Sequence, residues 1–332
     1  MGRAERKRWN GNERVRDLLK ESESRDLSPD EIEEVRMSYT GGGGLHDTFG
    51  QFFTPSVVTN FIIDLLGITD GTVLEPSCGA GAFLEALPAE CHVEGIEMMH
   101  EASAVSRLLY PKARITTGNT LTYLTALEER FDYVLGNPPF CDVPKYDDYS
   151  DYTIAQKGRG RAEWYFLELG LRALKPGGIL AYVVPDGILG NSKDEPLRKW
   201  IMNEQAWVLA VISLPPETFK MVGTTVKTSV LVLQKKISGV DRGNYPIFMA
   251  LSKEIGWDSR GRSTGKCDLP EILATWREWH QNETLVAEEH FVGNTVEQLP
   301  APDMAEDIMA NIGSIQQQGV ADNRWGQMSF GF

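Results

Sequence analysis

A chain of 332 residues has room for one large domain or two modest ones, and its 42% hydrophobic and 24% charged residues are those of an ordinary globular protein. No apolar run reaches the ~18 residues of a membrane span, and a net charge of −14 argues against a free-standing nucleic-acid binder. The cysteines Cys78, Cys91, Cys141 and Cys267 form no CxxC pair, and the N-terminus MGRAERKRWNG has no signal-peptide core. Together these point to a cytoplasmic protein with free thiols and no metal centre.

In chain order, residues 12–37 read as a charged helix, with Ser28-Pro29-Asp30-Glu31 as a capping box. Gly41 to Gly44 form a break, either a hinge or a close-approach loop. Then strands and helices alternate. A helix follows Thr54-Pro55, Thr72 to Leu74 is a strand, and 82–88 is a helix. Val93 to Glu97 is a strand, 100–109 a helix, and Ala113 to Thr116 and 131–135 are strands. A helix over 162–174 stops at Lys175-Pro176-Gly177-Gly178, and strands follow at Ile179 to Val184, Trp207 to Ser213 and Ser229 to Gln234. Residues 255–332 read as polar and irregular, with one helix at 270–281. This alternation predicts an α/β fold with a mostly parallel, doubly wound sheet. We expect a helical N-terminal segment over 1–44, a catalytic domain over 45–238 and a C-terminal extension over 239–332.

The charge is uneven. Residues 1–20 sum to +4 and residues 281–332 to −7. These are solvated ends, or else a basic arm for a phosphate backbone and an acidic tail that docks a partner.

Four features sit where strands end. Glu75-Pro76-Ser77-Cys78-Gly79-Ala80-Gly81-Ala82 joins the first strand to its helix. Small residues there let backbone approach a ligand, although a plain tight turn has the same composition. There is no GxGxxG and no GxxxxGKS, so NAD and ATP are poorly supported. Glu97 ends the next strand about twenty residues on, where an acid can accept both hydrogen bonds of a ribose diol. Asn119, after the third strand, is placed to hydrogen-bond an adenine edge. Gly136-Asn137-Pro138-Pro139-Phe140 follows the fourth strand. Two prolines end the strand and put one amide and one ring at its carboxyl end.

The order of these motifs resembles that of the N6-adenine DNA methyltransferases, the group that includes modification subunits of type I restriction systems and phage- and plasmid-borne methylases. EPSCGAGAF is similar to their S-adenosylmethionine (SAM) loop, GNPPF to their catalytic motif, and the upstream FGQFFTP to their methionine-binding segment. Gly178 to Gly187, Gly223 to Leu233, Phe248 to Ala250, Gly256 to Arg262 and Asp268 to Leu273 continue the likeness, as does the lead-in LSPDEIEEVRMSYTGGGGL. It covers roughly residues 27–280. Two positions depart from the family pattern, Glu75 and Asn119, both standing where Asp is common.

The resemblance implies a Rossmann-like, SAM-dependent methyltransferase with a short helical N-terminal segment and an irregular acidic tail. Its cofactor is SAM, with Gln51, Phe52, Phe53, Thr54 and Pro55 at the methionine end. Glu75, Pro76, Cys78, Gly79, Ala80, Gly81 and Ala82 line it, Glu97 holds the ribose, Met98 packs on the adenine, and Asn119 and Asn137 complete the pocket. Asn137, Pro138, Pro139 and Phe140 carry catalysis. A base amino group is a poor nucleophile, and two acceptors aimed at its protons turn its lone pair toward a methyl donor. Phe140 stacks on a target base flipped out of the duplex.

The loop after GNPPF holds four tyrosines with Lys157, Arg159 and Arg161. Its glycines suggest mobility, and Tyr146 with these bases suits a flipped base and its phosphates, or simply a solvated loop. Lys227 touches substrate or is a surface strand lysine. A related enzyme acting on RNA or on a protein amide, or a non-catalytic SAM-binding subunit, would share parts of this pattern. No target-recognition domain fits in the fifty residues after 280. Double-stranded DNA is therefore expected to be read with a specificity subunit, as a homodimer, or with weak sequence preference.

Overall fold

The computed structural model describes residues 3–39, 53–220 and 226–290. The Gly41 to Gly44 break, Gln51, Phe52, Gly223 and the acidic stretch beyond 290 lie outside them. Two compact units emerge, one of residues 1–59 and 68–175, the other of 60–67 and 176–332. The division falls inside the span 45–238 that the sequence reads as one domain.

In the first unit, the helical region expected over 12–37 is made of two helices, α1 (Arg3–Ser22) and α2 (Pro29–Ser38), the second starting at the expected capping box. Pro29 lacks the N–H a helix interior needs, so it starts a new helix instead. Ser28 caps that helix as a full capping box: its hydroxyl accepts from the Glu31 N–H at 3.3 Å, and the Glu31 carboxylate accepts from the Ser28 N–H at 2.8 Å. Val15, Leu18 and Val35 from these helices pack with Leu27 and Val105 in a small core. Arg16 adds an ion pair to Glu101 at 2.6 Å.

After the first turn of α3 (Ser56–Leu66) come β1 (Gly71–Glu75), α4 (Ala82–Ala86), β2 (Cys91–Glu97), α5 (His100–Leu109), β3 (Arg114–Thr117), the short α6 (Leu124–Leu127) and β4 (Phe131–Gly136). The strands lie in the order β3-β2-β1-β4, all parallel, with Val73 opposite Val93 and Tyr133. Val73, Leu74, Val134 and Leu135 are fully buried, as strands covered on both faces must be. Parallel strands put their carboxyl ends on one edge, so the residues after Glu75, Glu97, Thr117 and Gly136 converge there. Helix α7 (Ala162–Ala173) closes this unit.

The second unit holds β5 (Leu174–Pro185), α8 (Asp186–Gly190), α9 (Glu195–Trp200), β6 (Ala206–Ser213), β7 (Thr228–Lys235) and β8 (Phe248–Leu251), with the remainder of α3. Lys175-Pro176-Gly177-Gly178 lies within β5, which begins at Leu174 directly after α7. Strand β7 runs antiparallel to both β5 and β6, whereas β8 is parallel to β6. The region read as irregular after 255 contains a hairpin, β9 (Ile255–Trp257) with β10 (Ser263–Cys267), and then α10 (Leu269–His290). Its polar sequence hid the strands because β10 is almost wholly exposed and carries no buried alternation. Inside this unit the Trp276 indole N–H donates to the Leu65 carbonyl at 2.8 Å and ties α10 to α3. The fold is α/β with parallel pairing predominant, as the alternation predicts. Among the described residues no helix is long and apolar enough to cross a membrane.

Candidate cofactor and substrate site

The turn after β1 is built by its glycines. Gly79 and Gly81 have φ of +53° and +92°, the left-handed region that glycine enters without penalty. The Gly81 N–H donates to the Cys78 carbonyl at 2.8 Å, and the Ser106 hydroxyl donates to the Gly79 carbonyl at 2.7 Å. A Cβ on Gly81 would lie 2.3 Å from the Tyr110 ring. Gly81→Ala is therefore expected to lose about 2–4 kcal/mol of stability, from overpacking and from left-handed strain. Urea denaturation checks this; a loss below about 0.5 kcal/mol would mean that Tyr110 simply moves aside.

Glu97, only 2% exposed, sits at the end of β2. One carboxylate oxygen accepts the Gly79 N–H at 2.9 Å and the other the Met99 N–H at 2.7 Å. It thus fastens the glycine turn to the strand end.

Glu75 is buried beneath the turn, and its Oε2 has no hydrogen-bond partner. Burial, and then the nearby Glu97, hold its carboxyl well above the usual pKa of 4.5. Between that value and the raised one the folded chain keeps a proton that the unfolded chain has lost. Stability therefore falls as pH rises through this window. Glu75→Gln removes the dependence, so the variant should gain on wild type in denaturant midpoint as pH rises above the usual carboxyl value of 4.5. A constant difference would mean that Glu75 is ionised throughout.

Asn119 caps the 3-10 turn Thr120–Tyr123, its oxygen accepting the Leu121 N–H at 3.2 Å. Its amide nitrogen donates to Asp147 Oδ2 at 2.7 Å and to the Tyr149 hydroxyl at 2.9 Å. At the end of β4, Asn137 and Pro139 face the cleft, Pro138 is buried, and Phe140 is half-buried beside it.

These strand ends enclose an open cleft whose empty space, open solvent included, is about 790 Å³. Of the residues proposed from sequence, Phe53, Pro76, Gly79, Glu97, Met98, Asn119, Asn137 and Pro139 line it together. Thr54, Glu75 and Cys78 are buried, and Ala80, Gly81 and Ala82 shape the turn and the start of α4. Pro55 precedes α3, its carbonyl accepting the Val58 N–H. Gln51 and Phe52 lie outside the described residues. Tyr146 is 78% exposed, and Lys157 and Arg159 are exposed. The Arg161 guanidinium stacks over Trp164 at 5.6 Å. Lys227, in the second unit, lies 3.4 Å from Asp186 in an ion pair.

The sequence reading missed part of this wall. Ser77 lines the cleft, and its buried hydroxyl has no partner. Val143, Pro144 and Phe166 supply apolar surface. Tyr39, at the end of α2, packs edge-on against Phe53 with ring centroids 5.9 Å apart. Its hydroxyl is buried without a partner. Ser77 stood inside the glycine motif and Tyr39 inside the lead-in, neither with a role attached, whereas Phe166 carried no local signal.

Glycine in the loop after Phe140 serves packing rather than mobility at one position: a Cβ on Gly158 would lie 2.6 Å from Trp164. Among the described residues no group of three or more His, Cys, Asp or Glu side chains is placed to hold a metal ion.

A family model described as N-6 DNA Methylase matches residues 44–308. The chain is 28% identical over 236 residues to "Defense against restriction protein B" of Escherichia phage P1, covering 70% of this chain and 10% of that protein. Among solved structures it resembles the methyltransferase subunit of a type I restriction-modification system from Streptococcus thermophilus, with a TM-score of 0.60 at 22% identity over 74% of this chain and 56% of that one. It also resembles a Listeria monocytogenes protein assigned to the class I S-adenosylmethionine-dependent methyltransferases. There the TM-score is 0.61 at 20% identity, over 80% of this chain and 89% of that one. At such identities the structural likeness is one of fold. The chain spans less than half the length of the curated relatives it matches.

Proposed function

We propose that this chain, which belongs to the N-6 DNA methylase family, transfers a methyl group from SAM to the exocyclic N6 of adenine in DNA. One observation carries the reading: the glycine turn, the acid Glu97 and the pair Asn137 and Pro139 open onto a single cleft. A methyl donor and an amino acceptor need such a shared cleft to meet.

The residues present fit SAM. It is a cation at sulfur, and the cleft has the Glu97 carboxylate on its wall. That carboxylate is the acceptor we assign to the ribose diol, and the partnerless Ser77 hydroxyl offers a further polar contact. Phe53 and Met98 line the cleft and supply apolar surface for the methionine chain and the adenine, with Thr54 and Pro55 next to Phe53 in the chain. When bound, SAM supplies an electrophilic methyl group.

The chain's own groups prepare the acceptor. Asn137 Oδ1 and the Pro138 carbonyl accept the two N6 protons of a flipped adenine, and Pro139 fixes the direction of that carbonyl. The nitrogen becomes more tetrahedral, and its lone pair forms the N–C bond as the methyl's old bond breaks. The product nitrogen is cationic and loses a proton readily, so no strong base is required. Phe140 stacks on the base, and Tyr146, Lys157, Arg159 and Arg161 meet the surrounding strand.

A net charge of −14 leaves little for a phosphate backbone to attract, so a specificity subunit or a second copy supplies much of the DNA grip. The test is transfer of methyl label from SAM to duplex DNA, transfer RNA and protein extract side by side. Label in DNA is expected, and it should fall with salt less steeply than for a strongly basic methylase. Label in RNA or protein alone would overturn the DNA assignment.

A further inference from the structure

The segment between Phe140 and α7 carries the exposed Tyr146, Lys157 and Arg159, and side chains outside it fix its course. Glu168, fully buried on α7, accepts the Thr153 N–H at 2.8 Å, the Thr153 hydroxyl at 2.9 Å and the Ala155 N–H at 2.8 Å. The Arg172 guanidinium donates to the Asp151 carbonyl at 2.7 Å. The Tyr149 ring packs on Tyr165 with centroids 5.1 Å apart. Within the segment, the Val143 N–H donates to the Gly160 carbonyl at 2.7 Å, drawing its two ends together.

One of these anchors differs from the others. Asn119 lines the cleft, and it also holds the segment through Asp147 and Tyr149. A side-chain amide has two N–H donors. Both are directed at the segment, and one lone pair of the oxygen is taken by the Leu121 N–H. Little hydrogen-bonding capacity is left for reading a ligand. The segment in turn gives Val143 and Pro144 to the same cleft wall.

We infer that Asn119 is a positioning residue, a clasp that ties the target-side segment 141–161 to the cofactor cleft through Asp147 and Tyr149. The side chain that borders the cleft thereby sets where the groups meeting DNA stand. The inference deepens the proposed methylation and rests on it only for the identity of the two ligands.

Three variants test it: Asn119→Ala, Asp147→Ala/Tyr149→Phe, and the triple. The first readout is trypsin cleavage at Lys145, Lys157 and Arg159 in the full chain, without cofactor or DNA. Cleavage should rise about tenfold in each of the first two variants, the opening expected when a hydrogen-bonded anchor is lost. The triple should be no faster than either, because both variants break one network. The second readout is SAM affinity by calorimetry, which should change less than about threefold, while KM for DNA rises and kcat changes less. Unchanged cleavage, or effects that simply add, would overturn the clasp. So would a large loss of SAM affinity in Asn119→Ala alone, since Asn119 would then be a cofactor reader. If wild type binds no SAM, the proposed methylation fails, and the proteolysis arm still decides the clasp.

Discussion

Asn137→Ala should lower methyl transfer by about 10²- to 10³-fold, the usual loss when one preorganised polar group leaves the reacting centre. SAM affinity should stay within a few-fold. The split follows from position. Asn137 follows β4 and lines the cleft together with Pro139, and the proposed function puts it on the acceptor side. Its oxygen is proposed to act on the N6 protons as bond formation begins, which is a contribution to kcat rather than to ground-state binding. Steady-state kinetics beside calorimetry checks this. A parallel loss of SAM binding would make Asn137 a cofactor ligand first and a catalytic group second.

The second large effect belongs to Glu97→Ala. Two backbone N–H groups, of Gly79 and Met99, donate to this carboxylate at 2.9 and 2.7 Å in a nearly solvent-free position. Removing it strands both donors, at about 1–3 kcal/mol each. We expect a stability loss of about 2–5 kcal/mol together with at least a hundredfold loss of SAM affinity, because the glycine turn loosens and the ribose loses its acceptor. Glu97→Gln keeps one acceptor and should lose roughly half as much stability. Urea titration and calorimetry on the same samples separate the two effects. An alanine variant that is less stable yet binds SAM normally would confine Glu97 to a structural role.

The parts of this molecule legible in the sequence are those written in local pattern. Strands β1 to β4 fall within two residues of their expected bounds because continuous apolar runs such as Val134-Leu135 have only one use in a parallel sheet. The glycine turn and Glu97 were legible because a left-handed turn and a buried acid at a strand end leave compositional traces. What escaped depends on distant partners. The glycines of the loop after Phe140 suggest mobility, but Gly158 is packed closely against Trp164. Asn119 looked like an adenine reader, and only the fold brings Asp147 and Tyr149 to its amide. Tyr39 sits inside the lead-in LSPDEIEEVRMSYTGGGGL with no role attached to it, yet it packs on the cleft residue Phe53. The β9–β10 hairpin is polar and exposed, so no periodicity announced it.

The central claim is that the cleft methylates the N6 of adenine. The most direct measurement is mass spectrometry of nucleosides from unmethylated duplex DNA treated with SAM and enzyme, wild type beside Asn137→Ala. The account predicts N6-methyladenine as the modified nucleoside with wild type and almost none with the variant. Methylated cytosine, or N6-methyladenine at equal levels with both proteins, would contradict it.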